Sequence, residues 1–205
     1  MSVIFVEATP DLGQWGKIPE LTEYFDRSGV ETFYFHPHVH GDEQCLASWI
    51  YHEKVNRGHQ VVVAGWSYGM VNALDALKVL ERQSVCVDTL ISIDCFCLNF
   101  HRGRHLQPAN AERVVLIYRE IAKLPVGFNN PAVCRIDTCN HLGMPGHPTT
   151  VNALFRETLR LGQMQTGAQS EPALSLTSVN CTVCGKPHHA GAVPAQQVSM
   201  PLPLQ

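Results

Sequence analysis

The stretch Val61–Met70, VVVAGWSYGM, decides the fold. Its first four residues, Val61 to Ala64, are small or β-branched and apolar, which suits a strand buried on both faces of a parallel sheet. Beyond it, Met70, Val71, Leu74, Leu77, Val79 and Leu80 recur at helical spacing with Asp75 and Lys78 between them, the pattern of an amphipathic helix. Only Gly65, Trp66, Ser67, Tyr68 and Gly69 remain to turn the chain. So sharp a turn forces its central residue into a strained backbone conformation. Glycine two positions either side removes the side chains that would strike the neighbouring strand and helix. This G-x-S-x-G elbow lifts the Ser67 hydroxyl above the end of the sheet and aims the first N–H groups of the helix at whatever the serine attacks.

Outward from the elbow, strand and helix candidates alternate, as in a parallel sheet covered on both faces. SVIFVEA is the first strand and KIPELTEYFDRSG the first helix, closed by Gly29. VETFYFHP is the second strand, and DEQCLASWIYHEKVNRG the second helix, with Asp42 as N-cap and Gly58 as stop. After the elbow come VDTLISIDCF, ERVVLIYRE and AVCRIDT as strands four to six, then PTTVNALFRETLRLG as the last helix. The expectation is a three-layer, doubly wound α/β domain over residues 1–162, with a mainly parallel sheet of about six strands. Residues 163–205 are rich in Gln, Ser, Ala and Pro without a sustained period, and read as a flexible tail carrying a C-x-x-C segment.

A chain of 205 residues holds one such domain. A net charge of -3 and the lack of a long basic run argue against nucleic-acid binding through phosphate contacts. MSVIFVEATP reaches an acidic residue after a short apolar run, so it reads as a first strand rather than a signal peptide, and no stretch approaches the length of a membrane span. Cys86, Cys95, Cys97 and Cys134 sit in or beside apolar strand-like runs. Without an export signal, the eight cysteines read as reduced thiols of a cytoplasmic protein.

A serine hydroxyl is a poor nucleophile at neutral pH, so the elbow needs an imidazole to take its proton and a carboxylate to orient that imidazole. Both must come from loops at the C-terminal edge of the sheet. His141 lies in the loop directly after the sixth strand and is the preferred base. His147, nearer the last helix, is the fallback, while His101 and His105 are not tied to the last strand. Asp94 ends the run TLISID at that edge and is the preferred acid. Glu120 holds the corresponding point of the next strand and is the alternative, whereas Asp137 lies too near His141 in sequence to pair back easily. The oxyanion hole needs two N–H donors: Tyr68, after the serine, and Ala8 or Thr9, after the first strand. Pro10 has no N–H to offer.

Strand, elbow serine, acid and late histidine in this order resemble the α/β-hydrolase superfamily, specifically small lidless members related to lipases, cutinase-like esterases and thioesterases. The residues that carry the resemblance are Gly65, Ser67, Gly69, the ISID run ending in Asp94, and NHLGMPGHPTTVNALF, and it covers Ser2 to Gly162. It implies Ser67 as nucleophile, His141 as base and an acid after either of the two strands that follow the elbow. The two leading antiparallel strands of larger relatives would be missing. Where many relatives carry His-Gly or a glycine-rich run after the first strand, this chain has Glu7, Ala8 and Thr9. Phe96 to Asn110 could cover part of the site. The expected activity is cleavage of an ester or thioester of a small-molecule or acyl substrate through an acyl-enzyme, with no cofactor. A catalytically silent binding protein and an acyltransferase using the same triad are the alternatives.

Two other groupings could bind a metal. His36, His38 and His40 alternate in FHPHVHG and would point the same way on an extended strand, but Pro37 breaks strand pairing, so they read as a wet rim. Cys181 and Cys184 form a C-x-x-C with His188 and His189 close behind. Its bite suits zinc, yet no second C-x-x-C follows, so the segment reads as two free thiols with a zinc knuckle as the alternative. Trp15, Trp66 and Tyr68 either line an acyl pocket or, for Trp66, pack beneath the elbow.

Overall fold

The computed structural model describes residues 1–8, 15–40, 43–100, 108–165, 176–180 and 187–191. Six strands, β1 (Ser2–Val6), β2 (Glu31–Phe35), β3 (Val61–Trp66), β4 (Thr89–Ile93), β5 (Val114–Arg119) and β6 (Ala132–Ile136), form one sheet in the order β2-β1-β3-β4-β5-β6. Every neighbouring pair is parallel, so the mainly parallel sheet expected is wholly parallel. The helices are α1 (Ile18–Arg27), the single turn α2 (Pro37–His40), α3 (Glu43–Tyr51), α4 (Gly69–Glu81) and α5 (Pro148–Gln165).

The apolar runs of the central strands are explained by burial on both faces: all residues of β1, β3 and β4 are buried. Alternation divides them. Val61 and Val63 point into a core with Leu46, Ile50, Met70, Leu74 and Leu77 of α3 and α4. Val62, Ala64 and Trp66 point into the opposite core with Leu21 and Phe25 of α1 and Leu154 and Leu161 of α5. The Phe25 ring stacks on Phe155, with centroids 4.0 Å apart, and joins α1 to α5. At about 1.5–3 kcal/mol for each large side chain withdrawn from water, these two layers stabilise the sheet from both sides.

Some boundaries differ from the sequence reading. The second helix leaves α-geometry at His52, and His52–Asn56 is a π-turn. Asp42, its expected cap, lies outside the described residues. The last helix continues three residues past Gly162, to Gln165. Past residue 163, β7 (Leu176–Asn180) and β8 (Pro187–Gly191) pair antiparallel. The histidine-rich stretch corrects an expectation: Pro37–His40 is a helical turn, so the three imidazoles do not share one face of a strand. His40 Nδ1 instead accepts the His36 backbone N–H at 3.0 Å, and its ring lies 5.1 Å from Trp49.

The elbow is as crowded as the sequence requires. A Cβ on Gly65 would lie 2.6 Å from the Met70 Cα, and one on Gly69 would lie 2.6 Å from the Glu7 carbonyl oxygen and closer still to that of Val6. Those obstacles are backbone and cannot rotate away. Gly69→Ala is therefore expected to lose about 2 kcal/mol or more, which lowers Tm by roughly 5 °C or more in a domain of this size. A thermal melt superimposable on wild type would remove the packing argument.

Candidate active site

Sheet order reverses between β1 and β3, and at such a switch point the loops leaving the strand ends part to make a crevice. The elbow follows β3 and the Glu7–Ala8 segment follows β1, so the two flank that crevice. Ser67 sits at φ 49°, in the left-handed region that a non-glycine residue enters at a cost, and its N–H donates to the Ile93 carbonyl at 3.0 Å. Asp94, next after β4, has φ 45° and donates its N–H to the Ile117 carbonyl at 2.8 Å. Both strained residues are held by the strand beside them.

His141 joins the two. Its Nδ1 lies 2.7 Å from Asp94 Oδ2 and its Nε2 3.0 Å from Ser67 Oγ. The loop that delivers it is fixed at several points: Trp66 Nε1 donates to the His141 carbonyl at 3.3 Å, and Asn140 Oδ1 accepts the Gly143 N–H at 2.7 Å. The imidazole is sandwiched as well, stacked on the Trp66 indole at 5.2 Å and met edge-on by Phe96 at 5.2 Å. Trp66, 2% exposed, thus packs beneath the elbow and supports the imidazole together.

Asp94 is fully buried. Burial alone would raise its pKa, but the hydrogen bond to His141 and the guanidinium of Arg119 outweigh it and hold the carboxyl below its ordinary range. Arg119 Nε donates to Asp94 Oδ2 at 2.6 Å, the same oxygen that faces His141, and the Arg119 N–H reaches Oδ1 at 3.4 Å. With Asp94 ionised, its histidine partner must donate, which assigns the proton to Nδ1 and leaves Nε2 free to accept from the Ser67 hydroxyl.

Arg119 is the residue that sequence reasoning missed. Its signal was present: a carboxylate ending a wholly apolar strand requires a counter-charge, and the neighbouring strand ends in a basic residue. Glu120, the alternative acid, is exposed while its N–H bonds to the Ile136 carbonyl, so it is not brought to the site. Asp137 is likewise exposed. His147 stands at the start of α5, where its ring nitrogen accepts the Thr149 N–H at 3.2 Å and its carbonyl accepts the Val151 N–H.

Of the expected oxyanion donors, Tyr68 is the N-cap of α4, directly after the serine. Ala8 differs from expectation in one respect: its N–H donates to the carboxylate of Glu7 at 3.2 Å, and Glu7 Oε2 also accepts from the Tyr34 hydroxyl at 3.1 Å. Glu7 is fully buried, and nothing in the residues around it signals that burial. Thr9, His101, His105, Cys181 and Cys184 lie outside the described residues, as do the side chains of His188 and His189. Among the described residues, the one cluster with metal-ligating geometry is Glu31, Glu53 and His59, at the opposite end of the sheet, where Arg57 pairs with both carboxylates.

No protein-family model and no curated protein matches the sequence. Solved structures do match in shape. An alpha/beta-superfamily protein of Xanthomonas campestris pv. campestris shares 16% identity and a TM-score of 0.55 over 78% of this chain and 98% of its own. The ydeN gene product of B. subtilis shares 14% identity and a TM-score of 0.56 over 77% and 98%. The NocB thioesterase domain of the nocardicin cluster shares 14% and a TM-score of 0.50 over 76% and 92%. Together with the sheet order and the elbow, these likenesses define the class: the chain has the α/β-hydrolase fold in a minimal, six-stranded form. No helix among the described residues is long and apolar enough to cross a membrane.

Proposed function

We propose that the chain is a serine hydrolase that cleaves a carboxylic ester or thioester. The observation that carries this reading is a single imidazole within hydrogen-bond reach of both Ser67 Oγ and the buried Asp94 carboxylate. Ser67 Oγ attacks the acyl carbon while His141 Nε2 takes its proton, and Asp94 stabilises the imidazolium that forms. The imidazolium then protonates the leaving alcohol or thiol. Water, deprotonated by the same nitrogen, releases the acid. The Tyr68 and Ala8 N–H groups face the developing oxyanion, so the Glu7 carboxylate must yield its hold on Ala8 when substrate binds.

An apolar acyl group suits the surroundings. Tyr68, Phe96 and Leu142 are exposed large side chains adjoining Ser67 or His141, and an acyl chain laid against them would leave water together with them. The cysteines among the described residues are free thiols, which supports a reducing compartment such as the cytoplasm.

One observation favours a second reading, a catalytically silent binding module: the Glu7 carboxylate occupies a proposed oxyanion donor. A fluorophosphonate probe separates the two, because only an activated serine is phosphonylated. Labelling of wild type, together with turnover in a series of p-nitrophenyl esters and acyl-CoA thioesters of graded length, is expected for the hydrolase. An unlabelled wild-type chain would establish the binding module instead.

A further inference from the structure

The segment after Asp94 reads Cys95-Phe96-Cys97, and the two sulfurs lie 3.1 Å apart. We propose that Cys95 and Cys97 are a redox modification site, closing to a reversible disulfide that disarms the neighbouring serine, a consequence that rests on the hydrolase reading above.

The two thiols divide the work of such a site. Cys97 is half-buried and reachable from solvent, and the hydrogen bond from Cys95 draws its pKa down, favouring the thiolate that oxidants attack. Cys95 is fully buried, and burial pushes its thiol up, which keeps it protonated and inert until a partner sulfur is activated beside it. A solvent-reachable thiol with a lowered pKa beside a buried resolving thiol is the arrangement that oxidation exploits.

With hydrogen peroxide as oxidant, the Cys97 thiolate attacks one peroxide oxygen. The O–O bond breaks, and the departing hydroxide takes a proton to become water. Cys97 is then a sulfenic acid. The Cys95 sulfur attacks the sulfenic sulfur, the S–O bond breaks, and the released hydroxide leaves as a second water with the Cys95 thiol proton. Two thiols have lost two electrons and one peroxide has gained them. A dithiol reductant reverses the change by exchange.

Closure reaches the site because the segment has little slack. Forming the bond shortens the separation by about 1 Å. The Phe96 N–H donates to the Asp94 carbonyl at 3.0 Å, the Leu98 N–H to the Cys95 carbonyl at 3.4 Å, and the Tyr118 hydroxyl to that carbonyl at 3.1 Å. Between the sulfurs lies Phe96, whose ring abuts His141, and immediately before them is Asp94 at its strained φ. Drawing the sulfurs together therefore twists the peptide that positions both the imidazole's edge contact and its carboxylate. Misplacement of a catalytic group on the scale of 1 Å costs about 10²-fold in rate.

The full chain with Cys86→Ser, which leaves Cys95 and Cys97 as the cysteines of tryptic peptide 83–102, is treated with hydrogen peroxide, denatured, alkylated with N-ethylmaleimide and mapped by mass spectrometry. The expected product is that peptide lacking two hydrogens and carrying no alkyl group, restored by dithiothreitol. Fluorophosphonate labelling should fall about 10²-fold on oxidation, recover on reduction, and persist in Cys97→Ser under the same peroxide. Two alkylated cysteines after oxidation, or a linked peptide with undiminished labelling, would overturn the proposal. A chain that forms the linked peptide but never labels when reduced would overturn the hydrolase reading and, with it, the disarming, while leaving the disulfide mapped.

Discussion

Ser67→Ala is expected to abolish fluorophosphonate labelling and to lower ester or thioester turnover by about 10⁶-fold, the loss typical of removing the nucleophile from a triad. The structure explains why this variant should be clean. Serine already bears the left-handed strain at φ 49°, and alanine inherits the same backbone without adding to it. The hydroxyl contributes one hydrogen bond, to His141 Nε2, in a partly exposed setting. Thermal stability should therefore stay within a few degrees of wild type. Labelling that survives in Ser67→Ala would place the reactive nucleophile elsewhere and remove the elbow from the mechanism.

Asp94→Asn is the second large effect, with kcat falling by about 10⁴-fold. The asparagine amide can donate to Nδ1, which forces the imidazole proton onto Nε2 and leaves nothing to accept from Ser67. The same change strips Arg119 of its counter-charge. The cost to folding is about 2–3 kcal/mol, short of the figure for a wholly buried pair because the Arg119 side chain remains one-fifth exposed. Glu120→Gln, on an exposed side chain, should leave the rate unchanged. Wild-type activity in Asp94→Asn, or a large loss in Glu120→Gln, would exchange the roles of the two carboxylates.

The pH dependence of stability follows from the same residue. Its folded-state pKa lies below the ordinary carboxylate value. The native fold therefore gains its full contribution from Asp94 above the ordinary range, and loses it as pH falls through the depressed value. Melts across the acid range should show this loss in wild type and not in Asp94→Asn. Parallel acid limbs in the two proteins would mean that other carboxylates dominate acid unfolding.

The order of elements and the nature of the elbow were legible because both rest on local rules. A run such as Val61 to Ala64 has no solvent-facing side, so it must be a central strand, and the crowding at Gly65 and Gly69 follows from turning a chain in five residues. Asp94 and His141 were legible one step further out, since a parallel sheet gathers the loops after its strands at one edge. Arg119 was signalled only indirectly, by the basic residue that ends the strand after the one closed by Asp94, and Glu7 not at all. Their importance comes from burial and from which strand lies beside which, and neither is a property of a residue's neighbours in sequence. The helical turn at Pro37–His40 was missed for a related reason: alternating histidines imply one face only where the backbone is extended.

By itself, then, the sequence determined the alternating layers, the direction of the strands and the residue types gathered at the C-terminal edge, because side-chain period and steric exclusion act over a few residues. Only the tertiary structure decided that His141 spans Ser67 and Asp94, that Arg119 shares the carboxylate and Glu7 holds the Ala8 N–H, and that two sulfurs abut behind the imidazole. Hydrogen bonds and ion pairs act over a few ångströms, and packing across strands sets which groups come that close and how they are turned toward one another.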